Sequence, residues 1–207
     1  GHHMTTIEGG MVCTNDDDLL EYIKLFRSHG MTRECSSTFR KKYENKYPDL
    51  NPLFTFAVPG FNMRNNELNA VIGINQMKRL DDNIEKRTKN LNLWLDNLDS
   101  SLFFTEFNRE GSSNFSLPLI MRKKDKQAWS KVLDILENMK IEYRIGTAGG
   151  GNQERQPYLR EGKYNYRVFG DLKNANHIHD YGLYIGNHVE VNDKMIINLC
   201  KRLNSKK

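Results

Sequence analysis

From about Asn65 to Asp99 the chain carries Met77, Leu80, Ile84, Leu91, Leu95 and Leu98 at an approximately heptad spacing, which lays one apolar stripe along a helix. Glu67 falls in the expected first turn, where a negative charge meets the positive end of the helix dipole. An element of that length is too long for a small domain to wrap. The stripe therefore predicts a helix that connects two lobes or packs on another subunit.

On either side the pattern is mixed α and β. Gly10-Met11-Val12-Cys13-Thr14 reads as a short buried strand, and Asn15 to Asp18 supply a capping cluster for a helix carrying Leu19, Leu20, Ile23 and Phe26, with His29-Gly30 as its stop. From Met31 to Pro59, polarity and prolines predict a long irregular segment, a kind of loop that is usually functional or subunit-bridging. After the stripe, Asn114 to Met121 reads as a strand that Pro118 restricts to an edge or bulge. Asp125 caps a helix bearing Trp129, Val132, Leu133, Leu136 and Met139; Ile141, Tyr143 and Ile145 alternate as a strand; Asn192 or Asp193 caps a last helix with Met195, Ile196, Leu199 and Leu203.

Composition excludes several classes. The 207 residues, 38% hydrophobic and 28% charged, suffice for a buried core. No apolar run reaches the roughly 18–20 residues that span a bilayer and no signal-like segment leads the chain, so a cytoplasmic location without a membrane partner is expected. The net charge of +5 is dispersed among 26 acidic residues, which reads as solvated surface and not as a nucleic-acid interface. Cys13, Cys35 and Cys200 lack any C-x-x-C pairing, so neither a disulfide framework nor a zinc site is expected. His177 and His179 stand two apart and would diverge on a helix, so no metal site is expected there either.

Three segments carry chemistry. His2-His3-Met4 reads either as the remnant of a polyhistidine tag before an initiator methionine or as native residues leading into the glycine-ended turn Thr5 to Gly10. Gly149-Gly150-Gly151-Asn152 lets backbone approach a ligand closely, yet no Gly-Lys-Ser/Thr follows, so it is not a P-loop; a flexible loop is the other reading. Asn62 and Arg64 lie just ahead of a helix start, where unpaired N–H groups suit a phosphate or carboxylate, although ordinary capping accounts for the same residues.

In order along the chain, H-H-M-T-T-I-E-G-G-M-V, S-H-G-M-T-R-E, P-G-F-N-M-R-N-N-E-L-N-A-V-I-G-I-N-Q-M-K-R-L and G-L-Y-I-G-N-H together resemble the DegT/StrS-type nucleotide-sugar aminotransferases and dehydratases, over essentially the whole sequence. The resemblance implies an α/β protein of fold type I of the pyridoxal-phosphate enzymes. It makes residues 1–60 the remainder of the large cofactor domain, 61–100 a connecting helix, and 101–207 the small C-terminal α/β domain, so that the chain is the C-terminal half of a longer enzyme. The aromatic, aspartate and serine that hold the cofactor in the family belong upstream and are not in this sequence.

In most members of that family a lysine six residues before the glutamate of the E-G-G turn holds the cofactor covalently. Counting back six from Glu8 gives His2. The members with histidine there are sugar 3-dehydratases. One group of these carries an iron–sulfur cluster on several cysteines, but here the corresponding interval holds only Cys35. The resemblance thus implies a nucleotide-linked 4-keto-6-deoxyhexose as substrate, pyridoxal 5'-phosphate and pyridoxamine 5'-phosphate as cofactor, glutamate as amino donor, and a homodimer. His2 would be the catalytic base and acid, Asn62 would reach the cofactor phosphate of the neighbouring subunit, and His29, Arg64 and Asn152 would meet the substrate or donor. An aminotransferase of the same family, or a non-catalytic dimerisation or sugar-nucleotide-binding module, are the alternatives.

Overall fold

The computed structural model describes residues 4–146 and 151–205. They divide into two compact units, Met4–Met77 and the chain from Lys78 onward.

The later unit is an antiparallel sheet with helices packed on it. Strands β1 (Ser116–Ile120), β2 (Tyr143–Ile145) and β3 (Gly182–Gly186) lie in the order β1-β3-β2, with Leu117 opposite Ile185 and Leu119 opposite Leu183. Pro118 sits in an edge strand, as its missing N–H requires, and its carbonyl accepts the Trp94 indole N–H at 2.7 Å. Helix α4 (Leu80–Asn97) buries Leu91, Trp94 and Leu95; α5 (Lys126–Asn138) buries Trp129, Val132 and Leu136; α8 (Asp193–Leu203) buries Ile196, Leu199 and Leu203. Each such side chain removed from water contributes roughly 2 kcal/mol, so this core by itself is a substantial driving force. The expected caps form. Asp125 accepts from the Gln127 and Ala128 N–H groups and Asn192 from that of Met195, all at 3.0 Å. The short α6 (Pro157–Arg160) and α7 (Lys173–Tyr181) fill the segment between β2 and β3.

Asn187, just past β3, ties the sheet to α4. It is buried, its amide donates to the carbonyls of Arg87 (3.0 Å) and Asn114 (2.9 Å), and its oxygen accepts from Asn90 (3.0 Å). The asparagine of the G-L-Y-I-G-N-H string therefore has a structural job.

The earlier unit holds α1 (Asp17–Arg27), α2 (Ser37–Lys46) and α3 (Glu67–Met77). Asp16 caps α1 through the Leu19 N–H at 2.9 Å, as expected. Three expectations fail. The single helix from Asn65 to Asp99 is two, α3 and α4, broken at Lys78-Arg79, where the compact units also divide. Asp81 and Asp82 follow the break, and acidic residues there favour a fresh N-terminus. The segment from Met31 to Pro59 is not irregular throughout. Ser36 caps α2 by accepting from Phe39, whose ring lies 5.2 Å from that of Tyr43, itself 6.4 Å from Tyr47, an aromatic ladder at helical spacing. The strand at Gly10 to Thr14 does not form, because no described residue pairs with its backbone; Met11 is 86% exposed.

Candidate cofactor and substrate site

The site is built where α1 ends. Helix α1 stops with His29 and Gly30 in the left-handed region (φ 62° and 81°), and the Gly30 N–H returns to the Leu25 carbonyl at 2.7 Å. The chain then meets the segment running back from Thr55 to Met63. Phe61 donates to Phe26 (2.8 Å) and accepts from His29 (2.7 Å), Met63 donates to Arg27 (2.9 Å), and Ala57 donates to Gly30 (2.8 Å). Two backbones cross here with no room for a side chain. A Cβ on Gly30 would stand 1.8 Å from the Val58 oxygen, and one on Gly60 would stand 2.2 Å from the Gly30 nitrogen.

That crossing brings three of the residues expected from the sequence together. Asn62 bridges Ser28 through the backbone, and its side chain is exposed with no hydrogen bond to any described residue. The His29 imidazole is likewise exposed and unengaged. Capping does not account for Asn62 or Arg64, because Asn66 does that work, accepting from the Asn69 N–H at 3.1 Å. Arg64 is not a lone cation. Its guanidinium donates to Glu34 at 2.6 Å and to the Ser28 hydroxyl at 3.3 Å.

Glu34 is shared. Arg33 and Arg27 stand 3.6 and 3.8 Å from its carboxylate, so three guanidinium groups surround one negative charge. The excess positive charge, partly exposed and braced by the buried Ser28 hydroxyl, is what a diphosphate or dicarboxylate seeks. Arg27, Ser28, Arg33 and Glu34 were not singled out in the sequence, although Ser28, Arg33 and Glu34 stand in the quoted S-H-G-M-T-R-E string and Arg27 borders it.

A buried carboxylate fixes this region to α1. Glu21, 8% exposed, accepts the Ser36 N–H with both oxygens at 3.2 and 3.0 Å. Burial pushes its carboxyl up, but hydrogen bonds from Ser36 and Cys35 and the charge of Lys24 outweigh it and hold the group below the ordinary range. The Cys35 thiol responds in the opposite sense: burial, then the neighbouring Glu21, push it up to about 12.

In the later unit Asn152 is buried and its amide is engaged within the chain. It donates to Asn176 at 2.9 Å and accepts from the Glu154 N–H at 3.0 Å, while its own N–H donates to His179 Nδ1 at 3.1 Å. Gly151 (φ 79°) leaves no space for a Cβ beside His179. His177 turns away and contacts the Met121 carbonyl at 2.6 Å, so the two histidines diverge as their spacing predicts. Among the described residues no His, Cys, Asp or Glu group is arranged to hold a metal. No described helix is long and apolar enough to cross a membrane. His2, Gly149 and Gly150 lie outside the described residues.

The profile of the DegT/DnrJ/EryC1/StrS aminotransferase family matches residues 1–204. The chain belongs to this family. Among its relatives is the GDP-4-keto-6-deoxy-D-mannose 3-dehydratase of Yersinia pseudotuberculosis, 28% identical across 97% of this chain and 51% of that protein. Two solved structures of GDP-4-keto-6-deoxymannose-3-dehydratase superpose on 97% of this chain and 52% of theirs. One holds a trapped PLP–glutamate geminal diamine (TM-score 0.77, 27% identity) and the other bound GDP-perosamine (TM-score 0.79, 28% identity). The chain spans about half the length of the curated relatives it matches, and in the solved structures it corresponds to the C-terminal half of a fold-type I PLP enzyme.

Enzymes of the DegT/DnrJ/EryC1/StrS family depend on pyridoxal phosphate. The unengaged Asn62 amide on a braced backbone fits a phosphate oxygen, and the guanidinium cluster next to it in the fold fits a second anion.

Proposed function

We propose that the protein of which this chain is part catalyses 3-dehydration of a nucleotide-linked 4-keto-6-deoxyhexose in deoxysugar biosynthesis for surface polysaccharide, in the cytoplasm. The observation that carries the reading is an imidazole at His2, where the family resemblance expects an amine, supported by the similarity to a GDP-4-keto-6-deoxy-D-mannose 3-dehydratase. Residues 4–77 then complete the large cofactor domain, and the chain from Lys78 onward is the small domain, with the boundary at the helix break.

The cofactor in its pyridoxamine form, regenerated from pyridoxal phosphate by glutamate, would supply an amine for the 4-keto carbon and a ring that stores electrons; the rest is this chain's work. His2 takes up a proton as the reaction begins and returns it to the hydroxyl leaving carbon 3. An imidazole with an ordinary pKa near 6.5 does both at neutral pH, whereas a lysine near 10.4 must first be strongly depressed. Histidine also cannot hold the cofactor covalently in the manner of lysine, which leaves it free in its amino form. Asn62 grips the cofactor phosphate, across a homodimer interface. Arg64, with Arg27 and Arg33, receives the nucleotide diphosphate or the carboxylate of glutamate, the amino donor. His29 presents its unengaged ring to the sugar. Asn152, whose amide is already engaged with Asn176 and Glu154, serves as an anchor for the described residues around it.

The test is incubation of the full-length protein with pyridoxal phosphate, glutamate and a GDP-linked 4-keto-6-deoxyhexose. The expected outcome is ammonia release and a 4-keto-3,6-dideoxy product, with a cofactor that borohydride does not fix to the protein. An aminated sugar and a borohydride-stable adduct would make it an aminotransferase. No cofactor binding would make it a module.

A further inference from the structure

The later unit holds a cavity that the chemistry described above does not use. Just past β1, Met121 pairs with Phe103 in an antiparallel bridge, the Phe104 N–H donates to the Ile120 carbonyl at 2.9 Å, and the Arg122 N–H donates to the Leu102 carbonyl at 2.8 Å. Neighbours along such an extended segment face opposite ways, so the buried Phe103 turns into the core and Phe104 turns away from it. Helix α7 brings Asn174, His177 and Ile178 to the same place, and their spacing of i, i+3 and i+4 puts them on one face. Together with Glu106, Phe107 and Ile120 these residues enclose a cavity of about 250 Å³.

Walls and polar groups together specify what fits. Phe104, Phe107, Ile120 and Ile178 give apolar surfaces, and the Phe104 ring meets the His177 imidazole edge to face with centroids 6.1 Å apart. His177 Nε2 lies 2.6 Å from the Met121 carbonyl; a carbonyl only accepts, so Nε2 carries a hydrogen and the neutral ring keeps Nδ1 as an acceptor, unpartnered among the described residues. Arg122 stands 4.7 Å from the centre of the Phe104 ring but is committed to Glu106. Its hydrogen bond holds the Glu106 carboxyl below the ordinary range, so that group stays an acceptor as well. Among the described residues no lysine or arginine lines the cavity, and only the exposed Asn174 amide adds a donor.

Acceptors thus outnumber donors around an aromatic-walled space. Such a space repels phosphate and carboxylate and selects a flat ring that brings N–H groups on its edge. The volume is below the roughly 300–1,000 Å³ of sites that enclose a drug-sized molecule, so it suits one fused ring system and leaves any sugar or phosphate attached to it outside. We propose that this cavity binds a purine base, stacked against Phe104 and Phe107 with its amino edge toward His177 and Glu106. The inference does not depend on which reaction the protein catalyses.

The probes are guanosine and adenosine, titrated into the full-length protein and followed by saturation-transfer NMR. Base protons are expected to saturate more strongly than ribose protons. Phe107→Ala should weaken binding roughly ten- to a hundredfold, the usual loss of a stacking aromatic. Asn174→Ala changes an exposed side chain with no partner among the described residues, so folding is spared; it should weaken binding about two- to tenfold, and Arg64→Ala in the other unit less than about twofold. Absence of saturation at millimolar nucleoside would overturn the proposal. So would binding that Arg64→Ala abolishes while Phe107→Ala and Asn174→Ala leave it unchanged, because the base would then sit at the candidate cofactor and substrate site. Competition separates the two sources of such a base: displacement of the nucleoside by a GDP-linked sugar makes it part of the substrate, and retention makes it a free nucleoside or nucleotide acting as effector.

Discussion

The two units are stabilised by different means. From Lys78 onward nearly every buried side chain is apolar and they form one cluster, whereas between Met4 and Met77 the only buried hydrophobic residues are Leu25 and Met31. The earlier unit buries Glu21, Ser28, Thr32, Thr55 and Asn69 instead, and exposes Met11, Leu68, Val71 and Phe61. A hydrophobic cluster tolerates isolation because its driving force is internal, while a unit held by directional polar contacts, with its apolar residues facing out, depends on being covered. The residues expected to do chemistry sit mostly in the second kind of unit, where hydrogen bonds and not packing fix geometry.

The strongest way to break that contrast is to separate the units. A fragment beginning at Lys78 is expected to unfold as a single cooperative thermal transition, and one covering residues 4–77 to show none; a sharp calorimetric transition in the shorter piece would refute the comparison. Next is Asn187→Ala, which removes one of the two acceptors of the Asn90 amide and the donor that Asn187 gives the Arg87 and Asn114 carbonyls. It should cost about 3 kcal/mol in urea unfolding, two to three times the cost of removing a solvent-exposed hydrogen bond.

Glu21→Gln sharpens the comparison from the polar side. The folded carboxyl is held below its unfolded value, so its contribution is complete above the unfolded pKa and is lost as pH falls through the folded one. The variant should be less stable by about 1–2 kcal/mol at pH 7, and the difference should close at acidic pH; a gap independent of pH would contradict the assignment. The smallest effect is chemical. Cys13 is exposed and should react promptly with a thiol reagent at pH 8, while Cys35 and Cys200, both pushed up to about 12 by burial, should stay unmodified in the native protein by mass spectrometry.

Local chemistry was readable from the residues. Asp16, Asp125 and Asn192 cap where their positions predict, Pro118 lands on an edge, and His29-Gly30 ends α1. What stayed hidden depends on residues distant in the chain. Nothing in Lys78-Arg79 breaks a helix, since both residues favour one, and the break coincides with a division between compact units. Helix α2 was masked by its four basic residues, which hide the Phe39–Tyr43–Tyr47 spacing. Asn62 and Arg64 are legible from their place just ahead of a helix start, and His29 only through motif resemblance. Arg27 and Arg33 become part of the same cluster only because Glu34 folds back between them and Arg64, and the hydrogen bond from the Asn69 amide to the Glu8 carbonyl joins segments whose residue types give no hint of it.

The crossing of Gly30 and Gly60 has a last consequence. With those two points pressed together, everything between them is a closed excursion, and lengthening such a loop costs little because the entropy of closure grows only logarithmically with its length. Insertion, deletion or exchange around α2 can therefore be accommodated while His29 and Asn62, beside the crossing, keep their places. The knot of two glycines is a fixed socket into which evolution, or an engineer, can plug different attachments.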